Sequence, residues 1–240
     1  MGTMHDLGLI FFLSIGSGFL SALVGLGGGL LLLGVIPLFV PMTAVIPIQG
    51  VVNLSSNLSR FVLTVKQARL DWFYPYALGG LLGTVLGYPL IGVLSEQYLA
   101  IMLALFILAS VWTNVLKLIG RWLQSTVLMA AVQGFLALFV GSVAALSIPL
   151  LQARKMTLKA VVATSAMQMS LLNTFRVAAF YMAGFAYGDY SQILLTFIMG
   201  VMAGTYFGTL LQPFVPERLG QWLLKSITTV LAVVLLWGAF

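Results

Sequence analysis

The sequence contains no cysteine in 240 residues, and its single histidine, His5, lies next to the start. Disulfides, thiolate metal sites, cysteine nucleophiles and histidine clusters are therefore excluded. Charge is also scarce, because only 7% of the residues are charged, compared with about 25% in a soluble domain. With 61% hydrophobic residues and a mean hydropathy of +1.12, the chain is predicted to be a polytopic membrane protein.

The apolar stretches are long and uninterrupted by charge. No charged residue lies between Asp6 and Arg60, a distance far longer than the roughly 20 residues of one membrane helix. Neither a basic segment nor a small-residue cleavage pattern marks the start, so we expect no cleaved signal peptide. Charges, prolines and glycines divide the chain into eight apolar segments: 7–36, 43–65, 73–94, 98–116, 126–151, 158–184, 190–212 and 221–240.

These segments are apolar on all sides, whereas the strands of an outer-membrane barrel alternate polar and apolar residues. The predicted fold class is therefore an all-α polytopic membrane protein. Two segments do not fit a plain crossing. Residues 7–36 are too long for one helix and too short for two, and they contain a glycine cluster. Residues 126–151 contain Gly141 and Ser142 near the middle and Pro149 near the end.

An internal repeat relates the two halves of the chain. A shift of 116 residues places Asn57 and Arg60 on Asn173 and Arg176, and also superposes the Gly-Phe-Leu triplets at 18–20 and 134–136. A shift of 121 superposes the Gly-x3-Gly-x3-Gly runs that begin at 79 and 200, which we interpret as helix packing faces. We therefore predict two membrane repeats, residues 1–121 and 122–240.

The basic residues predict how these repeats are oriented, because Lys and Arg are enriched in cytoplasmic loops. If segments 7–36 and 126–151 enter and leave the membrane on the same side, nine of the 11 basic residues become cytoplasmic. Each half is then a re-entrant or broken hairpin plus three transmembrane helices, and the repeats have inverted topology, as in secondary transporters. The nine residues are Lys66, Arg69, Lys117, Arg121, Arg154, Lys155, Lys159, Arg218 and Lys225.

The other two basic residues, Arg60 and Arg176, lie inside apolar segments. An Arg in a membrane helix costs about 2.5–3.5 kcal/mol on insertion scales, so it needs a compensating role. The two residues are either an anion-binding pair, one from each half, or side chains that reach the interface or a neighbouring carbonyl. Arg176 is farther from the end of its segment than Arg60 is, which makes it the stronger ligand candidate.

Uncharged polar residues accompany these arginines. Gln49, Asn53 and Asn57 are spaced four residues apart and share one helix face. Such residues often form only hydrogen bonds between membrane helices, but their repetition beside an Arg favours a polar cavity. The corresponding stripe of the second half consists of Thr164, Gln168 and Asn173.

The glycines at 27–29 allow a tight bend, and they also leave main-chain N–H groups available to an anion at a helix start. By contrast, no Asp, Glu or His lies deep in an apolar segment, so a proton relay has no carrier. A monovalent anion leaving a negative-inside cell gains about 2.3 kcal/mol per 100 mV, so export needs no coupling carboxylate. We therefore expect no enzyme activity, no metal and no cofactor.

The Gly-Leu-Gly-Gly-Gly motif at 25–29, followed by Pro37, Ala44 and the polar stripe, resembles the TauE/SafE sulfite exporter family. The resemblance extends over essentially the whole chain. It implies export or exchange of small sulfur-containing anions such as sulfite or organosulfonates. The second half departs from the family pattern, because Gly141 is followed by Ser-Val-Ala-Ala rather than by further glycines. Either the site is asymmetric or the solute differs.

The sequence thus predicts a bacterial-type inner-membrane permease that moves a small anion by alternating access. The expected partners are the anionic solute and the lipid bilayer but no nucleic acid, and monomer and homodimer both remain open. The rival interpretation is a scaffold subunit that keeps the fold without transport, with a membrane enzyme third. The predicted substrate-binding residues are Gly27, Gly28, Gly29, Gln49, Asn53, Asn57, Arg60, Thr164, Gln168, Asn173 and Arg176.

Overall fold

A computed structural model describes residues 4–24, 28–93, 95–113, 118, 124–141, 143–147, 150–151, 154, 156–211, 214 and 217–238. These residues contain α-helices and short 3₁₀ turns but no strand, which confirms the predicted all-helical class. The α-helices with both ends in these ranges are α1 (Met4–Val24), α2 (Gly28–Val35), α3 (Met42–Thr64), α4 (Phe73–Gly87), α5 (Glu96–Trp112), α6 (Thr126–Val140), α7 (Leu158–Met182), α8 (Ser191–Leu211) and α9 (Glu217–Gly238).

Length and hydropathy together single out one helical stretch of the described residues, Tyr187–Gly208, as able to cross a membrane. Helices α3 and α7 have 23 and 25 residues, so each is at least about 35 Å long. They are long enough to cross a membrane, but their polar residues lower their mean hydropathy. The two longest helices are therefore the ones that carry the predicted polar stripes. The shorter apolar stretches are Leu7–Ala22, Gly29–Leu38, Glu96–Ser110, Thr126–Val140 and Lys225–Trp237.

Both segments that were predicted to be interrupted are broken helices. Helix α1 ends at Val24 and α2 begins at Gly28, and α2 has only eight residues, about 12 Å, too few to cross a bilayer. Helix α6 ends at Val140 because Gly141 has a φ of 72°, a left-handed conformation that glycine adopts without steric cost. The predicted interruption of both segments is thereby confirmed.

Close packing of α1 against α8 depends on glycine. Gly200 lies next to Ser14, and Gly208 lies next to Ala22, so the two helices run parallel. A Cβ atom on either glycine would overlap atoms of α1. The glycine run at 200–208 is therefore a helix packing face, as predicted from its spacing.

Helix α4 packs against α6 in the same manner. Gly79 lies against Val127 and Gly87 against Phe135, so these helices are also parallel. Under the predicted repeat, α1 is equivalent to α6 and α8 to α4. Each half therefore contributes one helix to each of two parallel pairs that have the same kind of glycine contact.

Helices α3 and α7 form an antiparallel pair near the centre of the molecule. Gly50 of α3 lies next to Arg176 of α7, and the main-chain N–H of Arg69, just beyond α3, donates to the hydroxyl of Thr164 at 3.0 Å. Helices α5 and α9 form another pair, in which Trp112 donates its indole N–H to Thr229 at 2.8 Å.

Two arginines and one glutamate mark the opposite ends of the helix bundle. Arg154 lies over the Trp72 ring, 5.8 Å from its centroid, so it is at the same end as Arg69. Glu96 accepts a hydrogen bond of 3.3 Å from Thr43, which lies at the opposite end of α3. We refer to these as the Arg69 end and the Glu96 end.

Candidate functional site

A cavity of about 50 Å³ lies between α3 and α7 and is bordered by residues of both halves. A volume of this size accommodates a few water molecules or one small anion. Asn53 and Asn57 of α3 and Asn173 of α7 lie on its wall. Two residues of the first predicted stripe and one of the second therefore border a shared space. The side chains of Ser17, Ser21, Ser56, Arg60 and Ser165 also line it.

Among the described residues that line the cavity, Arg60 is the cationic one and none is acidic. Hydroxyl groups and a guanidinium group all donate hydrogen bonds, and the guanidinium fork matches planar or pyramidal oxyanions. A wall with a cation and several hydroxyl donors, without a carboxylate, is therefore suited to a small anion.

The first turn of α2 also reaches the cavity. Gly29 lies on the wall, and the main-chain N–H groups of a first helical turn have no partner within their own helix. Gly28 begins α2, directly before Gly29. Gly27, the third glycine of the predicted site, lies outside the described residues.

Arg176 lies beside the cavity but is enclosed by protein, with 1% of its surface exposed. Its Nη1 atom donates to the Gly141 carbonyl at 2.8 Å, the Ala137 carbonyl at 3.3 Å and the Gln49 Oε1 atom at 3.1 Å. Its Nη2 atom donates to the Asn173 Oδ1 atom at 2.6 Å. The carbonyls at the end of α6 lack helical partners, so a cation there is favourable.

Gln49 connects this arginine to the other broken helix. Its Nε2 atom donates to the Gly29 carbonyl at 2.8 Å, while its Oε1 atom accepts from Arg176. The Gln49 side chain is fully buried. One amide therefore ties the start of α2, in the first half, to a guanidinium that caps α6, in the second half.

The remaining two predicted residues lie on α7, away from the cavity wall. Thr164 is fully buried and uses its hydroxyl oxygen to accept the N–H of Arg69. Gln168 is also fully buried, and neither its Nε2 nor its Oε1 atom has a hydrogen-bond partner. An amide in this condition costs about 1–3 kcal/mol.

The sequence analysis did not identify Ser17 and Ser21 as cavity residues. They are four residues apart on α1, the same spacing that revealed the stripe on α3, so the signal was present. It also missed the anchor of the second break. There the Gln133 amide donates to the Val143 carbonyl and to the Ser147 hydroxyl, both at 2.8 Å.

An all-helical chain with two broken helices and a cationic cavity between its halves has the architecture of a membrane permease. A sequence model of the family described as sulfite exporter TauE/SafE matches residues 10–235. The chain therefore belongs to the TauE/SafE family, whose members are multi-pass membrane transporters rather than enzymes. No curated protein and no solved structure matches the chain.

Proposed function

We propose that this protein exports or exchanges a small oxyanion, sulfite or an organosulfonate, by alternating access at the cavity between α3 and α7. The observation that carries the proposal is the composition of the cavity wall, whose described residues include the Arg60 guanidinium and several serine hydroxyls but no carboxylate. The family's description supplies the sulfur-containing class of anion.

The electrostatics of the cavity favour an anion. Arg60 lies on the wall and Arg176 directly behind Asn173. Two guanidinium groups beside one cavity favour an anion, because charges act strongly in a region of low dielectric constant. A monovalent anion gains about 2.3 kcal/mol per 100 mV when it leaves a negative-inside cell, so no proton relay is required.

The site consists of groups with two roles. Arg60, Asn53, Asn57, Asn173 and the α2 start at Gly29 contact the solute from the wall. The buried predicted residues Gln49, Thr164 and Arg176 hold neighbouring segments in place through their hydrogen bonds, whereas Gln168 is buried on α7 without a hydrogen-bond partner. Gly28 begins α2 directly before Gly29, and the predicted role of Gly27 falls outside the described residues.

The predicted inverted repeats are part of the proposal. The parallel pairs α1–α8 and α4–α6 and the antiparallel pair α3–α7 support it, because inverted halves with hairpins at 7–36 and 126–151 require these directions. The separation of Arg69 and Arg154 from Glu96 supports a cytoplasmic Arg69 end and an inner-membrane location.

The scaffold alternative predicts that Gln49, Asn53 and Asn57 pack against one another without a solvated space. Asn57 does bond to Asn53, through its Nδ2 atom and the Asn53 main-chain oxygen at 2.8 Å. Nevertheless, both residues also line the cavity. The permease therefore accounts better for the polar wall.

The test is anion flux in proteoliposomes under an imposed voltage, with sulfite, sulfate, thiosulfate and a small sulfonate offered separately. We expect saturable, voltage-driven flux of sulfite or the sulfonate. Arg60→Ala should lower this flux at least about tenfold, because it removes the charged donor of the wall. Arg60→Lys should retain part of it, since the charge remains but the planar fork is lost.

Arg69→Ala is the matched control, because Arg69 is exposed and pairs with Asp71 at 2.7 Å outside the cavity. Flux in this variant should equal that of the unaltered chain. Normal flux in Arg60→Ala would remove Arg60 from the site. The absence of flux for all four anions, in protein that remains monodisperse, would contradict the permease and favour the scaffold.

A further inference from the structure

A second pocket, of about 240 Å³, lies at the Glu96 end of the molecule. Its wall is mostly apolar, and it includes the start of α3 and the end of α7. Thr43, whose hydroxyl donates to Glu96, lies at its edge and is exposed. The residues that line this pocket include Met42, Thr43, Ile46, Leu138, Phe180 and Phe185.

The two spaces follow one another along α3. Ile46 borders the second pocket, Gln49 comes next, and Asn53 borders the cavity. Seven residues separate Ile46 from Asn53, which corresponds to about 10 Å of helix. Only about two helical turns, with Gln49 in the middle, therefore separate the second pocket from the cavity.

Helix α7 has the same order in the opposite direction, as its antiparallel packing requires. Asn173 borders the cavity, Arg176 follows, and Phe180 borders the second pocket. Gln49 and Arg176 thus occupy the same level of the molecule, and they hydrogen-bond to each other. The separation between the two spaces is a single layer made by these side chains and the end of α6.

This layer is tightly packed. A Cβ atom on Gly50 would lie 3.0 Å from the Arg176 Nε atom, and one on Gly141 would overlap the Gln49 Oε1 atom. The Nη1 atom of Arg176 shares its two hydrogens among three acceptors. The described side chains of this layer are thus in direct contact with one another, and the Gln49–Arg176 hydrogen bond lies between the two spaces.

We infer that Gln49 and Arg176 form a gate that separates the cavity from a vestibule at the Glu96 end, and that this gate is closed here. The inference rests on the proposed permease and adds the route by which the anion reaches the Glu96 side. Gln49 and Arg176 act as positioning residues. Their opening releases the start of α2 and the end of α6 together, because Gln49 bonds to the Gly29 carbonyl and Arg176 to the Gly141 carbonyl.

The absence of cysteine makes the test direct, because single-cysteine variants have no labelling background. Ser56→Cys reports on the cavity and Thr43→Cys on the vestibule. Each is treated with a membrane-impermeant methanethiosulfonate reagent in right-side-out and in inverted vesicles. The side from which Thr43→Cys is labelled defines the Glu96 side. Ser56→Cys should be nearly inert from that side.

Adding Gln49→Ala to Ser56→Cys should speed its labelling from the Glu96 side about tenfold or more, the shift expected from losing a hydrogen bond to a charged group. Adding Arg176→Lys should act similarly, since an ammonium cannot span the same acceptors. Thr84→Ala is the matched control. It removes a buried hydroxyl that bonds to the Gly80 carbonyl within α4 at 2.8 Å, and Thr84 borders neither space, so labelling of Ser56→Cys from the Glu96 side should be unchanged.

Two results would overturn the gate. One is rapid labelling of Ser56→Cys from the Glu96 side without a second substitution, a measurement that needs no destabilising variant. The other is unchanged labelling in both Gln49→Ala and Arg176→Lys. Labelling requires no transported anion, so failure of the flux experiment and failure of the gate are separate outcomes.

Discussion

Gln49 and Arg176 hydrogen-bond to each other at 3.1 Å although 127 residues separate them in the chain. The contact joins α3 to α7 and lies between the cavity and the pocket at the Glu96 end. Gln49 also bonds to the Gly29 carbonyl at the start of α2, and Arg176 bonds to the Gly141 carbonyl at the end of α6. This one contact therefore connects the two broken helices to each other.

Gly50→Ala should disturb this contact without removing either partner. The added methyl group would lie 3.0 Å from the Arg176 Nε atom, so the guanidinium must shift. We expect a loss of about 1–3 kcal/mol in stability, the usual cost of overpacking, and faster labelling of Ser56→Cys from the Glu96 side. Thermal unfolding in detergent measures the loss of stability. Gly188→Ala, which meets no atom within 4 Å, should show neither effect.

Gly204→Ala should loosen the parallel contact between α1 and α8. Its Cβ atom would overlap the main-chain carbonyl of Ile15, and a main-chain group cannot move aside cheaply. We expect a clear fall in melting temperature. The control is Gly16→Ala on α1, where a Cβ meets nothing within 4 Å. There alanine should stabilise the helix by about 0.5–1 kcal/mol, and equal melting temperatures for the two variants would contradict the packing role.

Tyr76→Phe should weaken the anchor of the second break. The Tyr76 hydroxyl donates to the Gln133 Oε1 atom at 2.5 Å, and both side chains are fully buried. Without this donor the amide oxygen is unsatisfied, at a cost of about 1–3 kcal/mol. Tyr74→Phe changes an 80% exposed tyrosine in the same helix, so its melting temperature should stay unchanged. A loss of equal size in both variants would exclude the specific role of the Gln133 contact.

The Arg69–Asp71 pair predicts a small acid effect outside the apolar segments. The hydrogen bond and charge of Arg69 hold the pKa of the Asp71 carboxyl below its usual value of 3.8. A lowered pKa contributes stability above the unfolded-state value, and this contribution disappears as the pH falls through the folded-state value. Asp71→Asn should therefore reduce the acid sensitivity of the melting temperature below about pH 4 and have little effect at pH 7.

Both side chains of this pair are about half exposed, at 52% and 55%, so water and salt screen the interaction. The difference between Asp71→Asn and the unaltered chain should therefore vanish at high salt. A large difference at pH 7 that resists salt would mean that Asp71 has another partner.

Much of the fold could be predicted because its signals are local. A glycine can interrupt a helix through main-chain geometry alone, as Gly141 does at the end of α6 with a φ of 72°. Likewise, the three-residue gaps of the run at 200–208 place its glycines on one helix face, whatever the neighbour is. The polar stripes followed from the same periodicity, and Asn53, Asn57 and Asn173 do meet at one cavity.

The two arginines illustrate what local signals do not contain. The repeat makes Arg60 and Arg176 equivalent, and depth in the apolar segment favoured Arg176 as the ligand. In the fold Arg60 lines the cavity, whereas Arg176 is surrounded by acceptors of α3, α6 and α7. The difference arises because the helix faces that surround each arginine belong to distant parts of the chain.

By itself, the sequence determined that this protein is helical and membrane-embedded, where its helices break, and which side chains are polar at depth. Composition and periodicity suffice for these features because they depend on transfer from water and on helix geometry. Only the tertiary structure decided that Gln49 connects Gly29 to Arg176 and that a single layer divides two spaces. These contacts depend on how the helices are placed and rotated against one another, which the summed packing of the whole chain determines.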